Sequence, residues 1–330
     1  MKKIRVAING FGRIGRAFYK VAKERPEIEL VAVNDLTSLE NVSYLLKYDT
    51  VYGMSKHTLD GVTYISEKDP TKLPWAKLDI DIVVESTGLF TSSDKAQAHI
   101  VAGAKRVVVT APIKDDPMSV IKGETVLMGM NEDKLSTCQI SSNASCTTNA
   151  GSPLIAILDE AIGVEKALLN TVHAYTASQS IVDGPAKKDL REGRAAAQNI
   201  VPSSTGAAIA VTKVATQLAG KFDGISIRVP VVAGSIVDVT FISKKNTTAE
   251  EVNEILKKAA SDPRWKGIFT VTEEDLVSSD IVGNPHASIS DLAFTRVVDG
   301  NLVKVLAWYD NEMGYTHTLV EHVIKAGRLI

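Results

Sequence analysis

A cysteine stands among small polar residues in the stretch "SNASCTTNAG", residues 142–151, just before the apolar run "PLIAILDEAIG". Buried structural cysteines usually have aliphatic neighbours, so this setting favours a thiolate nucleophile and the oxyanion that its attack produces. If a helix starts at Ser145 or Cys146, its free amides lower the pKa of the thiol, but Pro153 then lies inside the helix. If Pro153 is the first helical residue, that effect is lost. A small buried packing residue is the alternative interpretation of Cys146.

A thiol nucleophile needs a base, and the candidate is His173 in the apolar segment "NTVHAYT". Neighbours in an apolar strand would desolvate its imidazole. A histidine in such a strand is also commonly a hydrogen-bonded core residue, and this interpretation stays open. The other histidines show no metal-ligand spacing, so no metal is expected, and they are interpreted as surface or packing residues: His57, His99, His286, His317 and His322.

Gly10, Gly12 and Gly15 form a G-x-G-x-x-G pattern between a predicted strand and a predicted helix. Backbone amides and the helix N-terminus can bind a pyrophosphate there. Asp35 ends the next predicted strand, 20 residues after Gly15, where a carboxylate accepts hydrogen bonds from an adenosine ribose. Because that carboxylate also repels a 2′-phosphate, the pattern predicts NAD as the cofactor. The alternative is an ordinary tight turn and a surface aspartate.

The elements that must position these residues suggest two domains. Residues 4–8 and the run "IELVAVND" predict strands on either side of a helix that extends to about residue 25. The runs "DIVVEST" and "RVVVTAP" flank the helix-like "SSDKAQAHIVAGA" and predict parallel strands buried on both faces. The fold class expected here is α/β, with a Rossmann-type, doubly wound parallel sheet.

The second half of the chain has more strands than helices. From Lys166 onward, strands are predicted at "KALLNTVHAYT", "GISIRVPVV", "SIVDVTFIS" and "NLVKVLAWYD", which indicates an α+β catalytic domain with a mixed, largely antiparallel sheet. Residues 177–203 have no clear period and are predicted to form a long loop that serves a site or an interface. The segment "THTLVEHVIKAGRL" predicts a final helix. The expected domains are 1–147 with 310–330, and 148–309.

Composition narrows the classes of partner. Lys plus Arg (37) and Asp plus Glu (39) nearly cancel and are interleaved, so neither a nucleic acid nor a membrane surface is indicated as a partner. Two cysteines are too few for a disulfide framework, which favours the reducing cytoplasm. The sequence has no run of about 20 apolar residues, so membrane insertion is not expected.

Six segments together resemble the family of phosphorylating glyceraldehyde-3-phosphate dehydrogenases. They are "INGFGRIGR", "SNASCTTN", "TVHAYT", "NIVPSSTGAA", "IRVP" and "WYDNEMGY", in the family's order and approximate spacing. The resemblance implies that Cys146 attacks an aldehyde with His173 as its base, that NAD is the cofactor, and that glyceraldehyde 3-phosphate and inorganic phosphate are substrates. It also implies a thioester intermediate, a role in glycolysis and gluconeogenesis, and a homotetramer.

The resemblance assigns further site residues. Arg228 and Thr176 are implied for the C3 phosphate of the substrate, and the second anion site is implied at Ser145, Thr147, Thr205 and Gly206. The backbone amide of Cys146 is implied as the oxyanion donor. The cofactor residues implied are Asn9, Gly10, Phe11, Gly12, Arg13, Ile14 and Asp35, then Thr87 and Thr110 at the ends of the third and fourth predicted strands, and Asn311 and Tyr315 for the nicotinamide.

The sequence departs from the family pattern at three positions. Ser178 replaces a common aspartate, Ala150 replaces a second cysteine, and Gly184 stands where a leucine associated with excluding NADP is frequent. The preference for NAD is therefore expected to depend mainly on Asp35. Two other functions stay open: an erythrose-4-phosphate dehydrogenase, which favours water over phosphate in deacylation, and a non-catalytic nucleotide-binding regulatory or adhesive protein.

Overall fold

The chain forms two compact units, Met1–Ser145 with Thr316–Ile330, and Cys146–Tyr315. The computed structural model describes residues 2–115, 118–186 and 189–330. The expected boundaries lay at 147/148 and 309/310, whereas in the structure Cys146 is the first residue of the second unit. Across the described ranges, none of the helices has the length and apolar character needed to cross a membrane.

A parallel sheet is the centre of the first unit. In chain order the elements are β1 (Ile4–Asn9), α1 (Arg13–Lys23), β2 (Ile28–Asn34), α2 (Leu39–Lys47), β3 (Tyr48–Asp49), β4 (Gly53–Met54), β5 (Thr63–Ile65), β6 (Ile82–Glu85), α3 (Ser93–Val101), β7 (Arg106–Val109), β8 (Glu124–Thr125) and β9 (Ile140–Ser142). The order across the sheet is β5-β2-β1-β6-β7-β9-β8, and β3 and β4 form a separate ribbon. The short β5 precedes β6 in the chain, so Thr87 and Thr110 follow the fourth and fifth strands of this sheet, not the third and fourth.

The sequence explains why these strands are central. The side chains of β6 are all buried, as expected for a short apolar run covered on both faces. The paired strands run parallel, which confirms the predicted Rossmann-like sheet. β1 pairs with β2 on one side and with β6 on the other, so the strand order reverses at β1. In open α/β sheets, ligands bind outside the carboxyl ends of the strands at such a switch point.

The second unit contains a mixed sheet. Its elements are α4 (Cys146–Ile162), β10 (Val164–Ala174), β11 (Val201–Ser204), α5 (Ala207–Val214), β12 (Phe222–Val229), β13 (Ser235–Ser243), α6 (Ala249–Ala260), β14 (Phe269–Thr272), β15 (Ser288–Val298) and β16 (Leu302–Tyr309). The order is β11-β12-β10-β13-β16-β15-β14. β10 pairs in parallel with β12, and β14 with β15, while the other pairs are antiparallel. This confirms the predicted mixed, largely antiparallel sheet.

Helices cover one face of this second sheet. Buried and half-buried residues alternate along the whole of β13, as expected when one face of a strand meets the core. α4 packs against β13 and β15, and α6 packs against β14 and β15. The other face retains exposed apolar side chains, including Leu168 on β10.

Short and terminal elements complete the chain. The final helix, α7 (Met313–Gly327), starts in the second unit and continues into the first. Within the interval 177–203, Leu190–Gly193 form a 3-10 helix and β11 begins at Val201, while Lys187 and Lys188 lie outside the described residues. Further 3-10 helices lie at Pro70–Lys72, Glu132–Thr137, Thr216–Leu218 and Pro263–Trp265.

Candidate active site

Cys146 is the first residue of α4, and Pro153 lies inside this helix. The structure thus realises the first of the two helix starts that the sequence allowed. Ala144, two residues earlier, has a φ of 53°, a left-handed conformation that residues with a Cβ seldom adopt. Its N–H donates to the Ser142 hydroxyl at 2.9 Å. Such uncommon backbone is concentrated at functional sites, where the surrounding structure has to maintain it.

The thiol of Cys146 lies against the imidazole of His173. Sγ is 3.3 Å from Nε2. On the other side of the ring, Nδ1 is 2.6 Å from the carbonyl oxygen of Ala174 and 2.6 Å from Nη1 of Arg228. The parallel pairing of β10 with β12 places His173 directly opposite Arg228. The structure therefore brings together the predicted nucleophile, the predicted base and the predicted anion-binding arginine.

The contacts of Nδ1 decide which proton chemistry the ring can perform. A proton on Nδ1 is donated to the Ala174 carbonyl oxygen and leaves Nε2 with a lone pair for the thiol. A proton on Nε2 instead leaves Nδ1 to accept from Arg228. The first tautomer is the one in which His173 can act as a base towards Cys146.

Burial sets the resting protonation of this pair. It raises the pKa of the Cys146 thiol above its ordinary value, although the Arg228 guanidinium and the N–H groups of Thr147 and Cys146 oppose it. Burial, with Arg228 adding to it, lowers the pKa of His173 to about 3. The helix N-terminus thus acts in the expected direction, but it is outweighed. At neutral pH the pair consists of a thiol and a neutral imidazole.

Tyr309 is a site residue that the sequence analysis did not single out. Its hydroxyl lies 2.9 Å from the Thr147 hydroxyl and 2.8 Å from the Thr171 hydroxyl. Its ring meets the His173 ring edge-on, with the centroids 5.9 Å apart. Burial, followed by the charge that Cys146 carries when it is ionised, raises the pKa of Tyr309, so it remains a neutral phenol. Its position in the quoted segment "WYDNEMGY" was the available signal.

Arg228 has unused hydrogen-bonding capacity. Its Nε atom is buried and has no hydrogen-bond partner among the described residues. A buried guanidinium N–H without an acceptor is costly, and a phosphate oxygen would relieve that cost. Thr176 follows β10 by two residues, and its hydroxyl lies 3.0 Å from that of Ser178. Where the family commonly has an aspartate, this chain therefore has a neutral hydroxyl pair.

The residues implied for the second anion lie at two helix starts. The Thr205 hydroxyl accepts the N–H of Ala207, the first residue of α5, at 3.1 Å, and the exposed Gly206 between them is the N-cap of this helix. Thr147 is in the first turn of α4 and is buried, with its hydroxyl engaged by Tyr309. Ser145 is half-buried immediately before α4. Helix N-termini present free N–H groups to anions, so both places suit a phosphate.

In the first unit, the three glycines meet different demands. Gly10 has a φ of 91°, and a Cβ there would lie 2.7 Å from the Thr87 nitrogen. A Cβ on Gly15 would lie 2.2 Å from the Gly10 carbonyl oxygen. A Cβ on Gly12 would meet nothing within 4 Å beyond its chain neighbours and its own helix in the described structure. The protein itself requires the first and third glycines, whereas the second leaves room for a pyrophosphate at the start of α1.

Asp35 lies where the ribose carboxylate was predicted. It follows β2, and its two oxygens accept the N–H groups of Phe11 at 2.7 Å and Thr37 at 2.9 Å. Burial alone would raise the pKa of Asp35, but these hydrogen bonds lower it below the ordinary value. Asp35 is therefore an oriented anion that is still half-exposed, with lone pairs left for sugar hydroxyls.

Two of the predicted cofactor residues use their side chains inside the protein. The Asn9 amide donates to Glu85 at 2.6 Å and accepts from Asn34 at 2.7 Å. The Thr87 hydroxyl donates to Glu85 and accepts the Leu89 N–H at 3.0 Å. Asn9 and Thr87 can thus shape the cofactor site, but these side-chain groups already have partners.

The other predicted cofactor residues have varied settings. Arg13 pairs with Asp49 at 2.9 Å. Ile14 is half-buried, as is Thr110, which follows β7. The side-chain oxygen of Asn311 accepts from the Gly234 N–H at 3.2 Å and from the Ser235 hydroxyl at 3.1 Å, which fixes its amide plane. Tyr315 is buried in α7.

A glycine turn at a switch point and a thiol–imidazole pair define the class of cysteine-dependent dehydrogenases. Residues 4–93 match the family model described as "Glyceraldehyde 3-phosphate dehydrogenase, NAD binding domain", and residues 145–311 match "Glyceraldehyde 3-phosphate dehydrogenase, C-terminal domain". The chain therefore belongs to the glyceraldehyde-3-phosphate dehydrogenase family.

Similar proteins occur in two bacteria and in a yeast. A glyceraldehyde-3-phosphate dehydrogenase of Streptomyces coelicolor is 47% identical, with 98% of each chain covered. Glyceraldehyde-3-phosphate dehydrogenase 2 of Saccharomyces cerevisiae is 47% identical, over 98% of this chain and 100% of its own. The enzyme of Borreliella burgdorferi is 48% identical, over 96% and 98%.

Proposed function

We propose that the protein oxidises glyceraldehyde 3-phosphate with NAD and inorganic phosphate, and forms 1,3-bisphosphoglycerate and NADH in glycolysis and gluconeogenesis. The observation that carries this proposal is the contact between Cys146 Sγ and His173 Nε2, with Arg228 on the far side of the same ring. Family membership supports the same reaction and the same cofactor.

The chemistry starts from a protonated thiol. As Cys146 Sγ attacks the aldehyde carbon, its proton moves to His173 Nε2, and the amide N–H at the start of α4 stabilises the developing oxyanion. His173 Nε2 returns this proton to the oxyanion, which gives a neutral thiohemiacetal. His173, neutral again, then removes the hydroxyl proton, and the carbonyl group of a thioester forms. NAD, when bound, supplies the acceptor for the hydride that leaves the same carbon.

The second half of the reaction releases the enzyme thiol. A phosphate oxygen attacks the thioester carbon, the C–S bond breaks, and the acyl phosphate leaves while Cys146 regains its proton. Arg228 and Thr176 are proposed to hold the phosphate of the substrate, and Ser145, Thr147, Thr205 and Gly206 the attacking phosphate. Two bound anions and a site that restricts water would preserve the thioester for phosphate.

An assay of NADH formation tests the proposal. Purified protein is given glyceraldehyde 3-phosphate and NAD, with and without inorganic phosphate, and a Cys146→Ser variant serves as the control. Sustained NADH formation that requires phosphate supports the proposal. Phosphate-independent turnover with a preference for erythrose 4-phosphate would show the related hydrolysing dehydrogenase instead, and no turnover with either aldehyde would leave a non-catalytic nucleotide-binding protein.

We also propose a cytoplasmic homotetramer. The uncovered face of the second sheet supports assembly, since Leu168 is 66% exposed and lines a groove of about 780 Å³ with Ile209 and Leu302. Exposed apolar patches of this kind commonly mark protein interfaces. Light scattering after gel filtration should give four chains per particle, and Leu168→Asp should give smaller particles. The two free cysteines accord with a reducing compartment, and cell fractionation tests that location.

A further inference from the structure

A buried carboxylate lies at the switch point of the first sheet and has no role in the chemistry described above. Glu85 ends β6, is 2% exposed, and is the register partner of Asn9 on β1. One carboxylate oxygen accepts the N–H and the hydroxyl of Thr87, the former at 2.8 Å. The other lies 2.6 Å from Asn9 Nδ2 and 2.9 Å from His99 Nε2. Four contacts therefore converge on one side chain.

The indole of Trp75 determines how His99 meets this carboxylate. His99, on α3, is fully buried, and its Nδ1 lies 3.1 Å from Trp75 Nε1. Indole N–H is only a donor, so Nδ1 has to be the acceptor, and the proton of the neutral ring is on Nε2. His99 consequently donates to Glu85. The group interpreted from the sequence as a packing histidine is thus a donor held in one tautomer.

This network reaches the glycine turn directly. The segment after Glu85 is the surface on which the turn packs, because the Ser86 hydroxyl donates to the Gly10 carbonyl oxygen at 2.6 Å. The Ser86 N–H donates to the Asn9 carbonyl oxygen at 2.8 Å. A Cβ on Gly10 would clash with the Thr87 nitrogen, so the turn and this segment are already at closest approach. A shift of Thr87 would therefore move the turn.

We propose that Glu85, oriented by His99 and Trp75, is a positioning residue for NAD binding that holds residues 86 and 87 against the Gly10 turn. It touches neither the reacting thiol nor the base. The inference rests on the proposed function only in taking NAD as the ligand. The effect belongs to cofactor affinity, because the groups held are those that surround the glycine fingerprint.

The test is NAD binding to purified full-length variants by calorimetry. Glu85→Gln keeps the shape of the side chain but places an NH₂ group against donors, either on Thr87 or on Asn9 and His99. We expect the Kd for NAD to rise about 10-fold, as for loss of one hydrogen bond to a charged group. The alkylation rate of Cys146 without NAD should stay unchanged.

The fixed tautomer allows a specific rescue. Trp75→Phe removes the indole donor, so His99 can move its proton to Nδ1 and accept at Nε2. In the double variant, His99 can therefore accept from the new amide, and NAD affinity should recover by about 3-fold relative to Glu85→Gln. Trp75→Phe alone should weaken NAD binding about 2-fold, because the orientation of His99 is no longer fixed. A purely structural network would instead give a double variant worse than either single one.

A matched control is available at the other end of the same strand. Asp81 immediately precedes β6, is buried, and accepts the Arg5 N–H at 2.9 Å and Lys105 Nζ at 2.6 Å. Asp81→Asn should lower the melting temperature but alter the Kd for NAD by less than about 2-fold. Equal losses of NAD affinity in Asp81→Asn and Glu85→Gln, or an unchanged Kd in Glu85→Gln, would overturn the inference alone. If Glu85→Gln does not fold, the Kd of Trp75→Phe for NAD tests the inference instead: the expected weakening of about 2-fold supports it, and an unchanged Kd overturns it. A wild-type protein that did not bind NAD would overturn the proposed function as well.

Discussion

Replacing Arg228 by glutamine should raise the apparent pKa of the Cys146 thiol. Arg228 Nη1 touches His173 Nδ1 at 2.6 Å, and Cys146 Sγ lies 3.3 Å beyond the other ring nitrogen. The guanidinium is therefore at most about 8 Å from the sulfur, where an effective dielectric constant of about 20 gives about 2 kcal/mol of attraction for a thiolate. Because Arg228 is half-exposed, salt screens part of this interaction. Loss of this attraction should therefore raise the pKa of the Cys146 thiol in the variant.

The sign depends on His173 remaining neutral. Loss of Arg228 also removes one of the causes that depress the pKa of His173, and a protonated imidazole would stabilise the thiolate instead. Burial is the larger cause of that depression, so the ring should stay neutral near pH 7 in the variant. The thiolate then loses the attraction of the Arg228 cation, and no imidazolium cation replaces it.

The assay is the pH dependence of alkylation by iodoacetamide in the absence of substrate. In Arg228→Gln the rate near neutral pH should fall about 10- to 30-fold, in step with the lost thiolate fraction. Subtracting the rate of Cys146→Ser removes the contribution of Cys138, the other free cysteine. Arg264→Gln, which removes an exposed pair with Glu160, is the matched control and should alkylate like the wild type. Faster alkylation of Arg228→Gln, or an unchanged pH profile, would refute this account of the pair.

Three more sets of substitutions test the nucleophile, the cofactor preference and the buried His322. Cys146→Ser should abolish NADH formation and leave the Kd for NAD within a few-fold, since a serine alkoxide is not accessible at neutral pH; substantial remaining activity would exclude Cys146 as the nucleophile. Asp35→Gly should raise kcat/KM with NADP and lower it with NAD, while Gly184→Leu should depress NADP use further; equal use of both cofactors by the wild type would contradict this reasoning. Burial lowers the pKa of His322 to about 3, so the unfolded state binds more protons between about pH 6.5 and pH 3, and stability falls as the pH falls through that window. In urea titrations, His322→Gln should lose less stability between these pH values than the wild type.

The sequence predicted those parts of the fold whose signals are local. Continuous apolar runs indicated the buried parallel strands, and the predicted strand "SIVDVTFIS" has the same bounds as β13. β15 escaped prediction because a register shift between Asp291 and Arg296 interrupts its pairing and hence its alternation. Asp291 is also buried there and accepts the Trp308 indole N–H, so its polarity gave a misleading signal. α6 had a usable signal, since Thr248 caps the N–H of Glu251 in a T-x-x-E capping pattern.

The candidate site was predictable in its residue types but less so in its electrostatics. The small polar neighbours of Cys146 and the resemblance around it indicated the nucleophile. The parallel register of β10 and β12 explains why Arg228 lies beside its base, His173. The pKa of the thiol follows from burial, which depends on chain segments remote in sequence. Tyr309, 162 residues from Thr147, is one such neighbour. The helix start, which the sequence does show, therefore lowers the pKa of the thiol as expected, but the net change in that pKa is upward.

A thiol and a neutral imidazole form a resting state with chemical consequences. A permanently ionised cysteine is open to oxidants and alkylating agents at all times, whereas this thiol gives up its proton only as a carbon electrophile approaches. The imidazole that accepts this proton becomes a cation in a buried site beside the Arg228 guanidinium. Burial and the guanidinium charge both disfavour this cation, and an anion bound to Arg228 would weaken the second effect. Arg228, with its unpartnered Nε, is the group that a substrate phosphate would neutralise. Binding of the correct anionic aldehyde would thus remove Arg228's part of the repulsion on a protonated His173, while the larger effect of burial would remain. Because Arg228 lies closer to the imidazole than to the sulfur, neutralising its charge would still favour proton transfer from the thiol to His173.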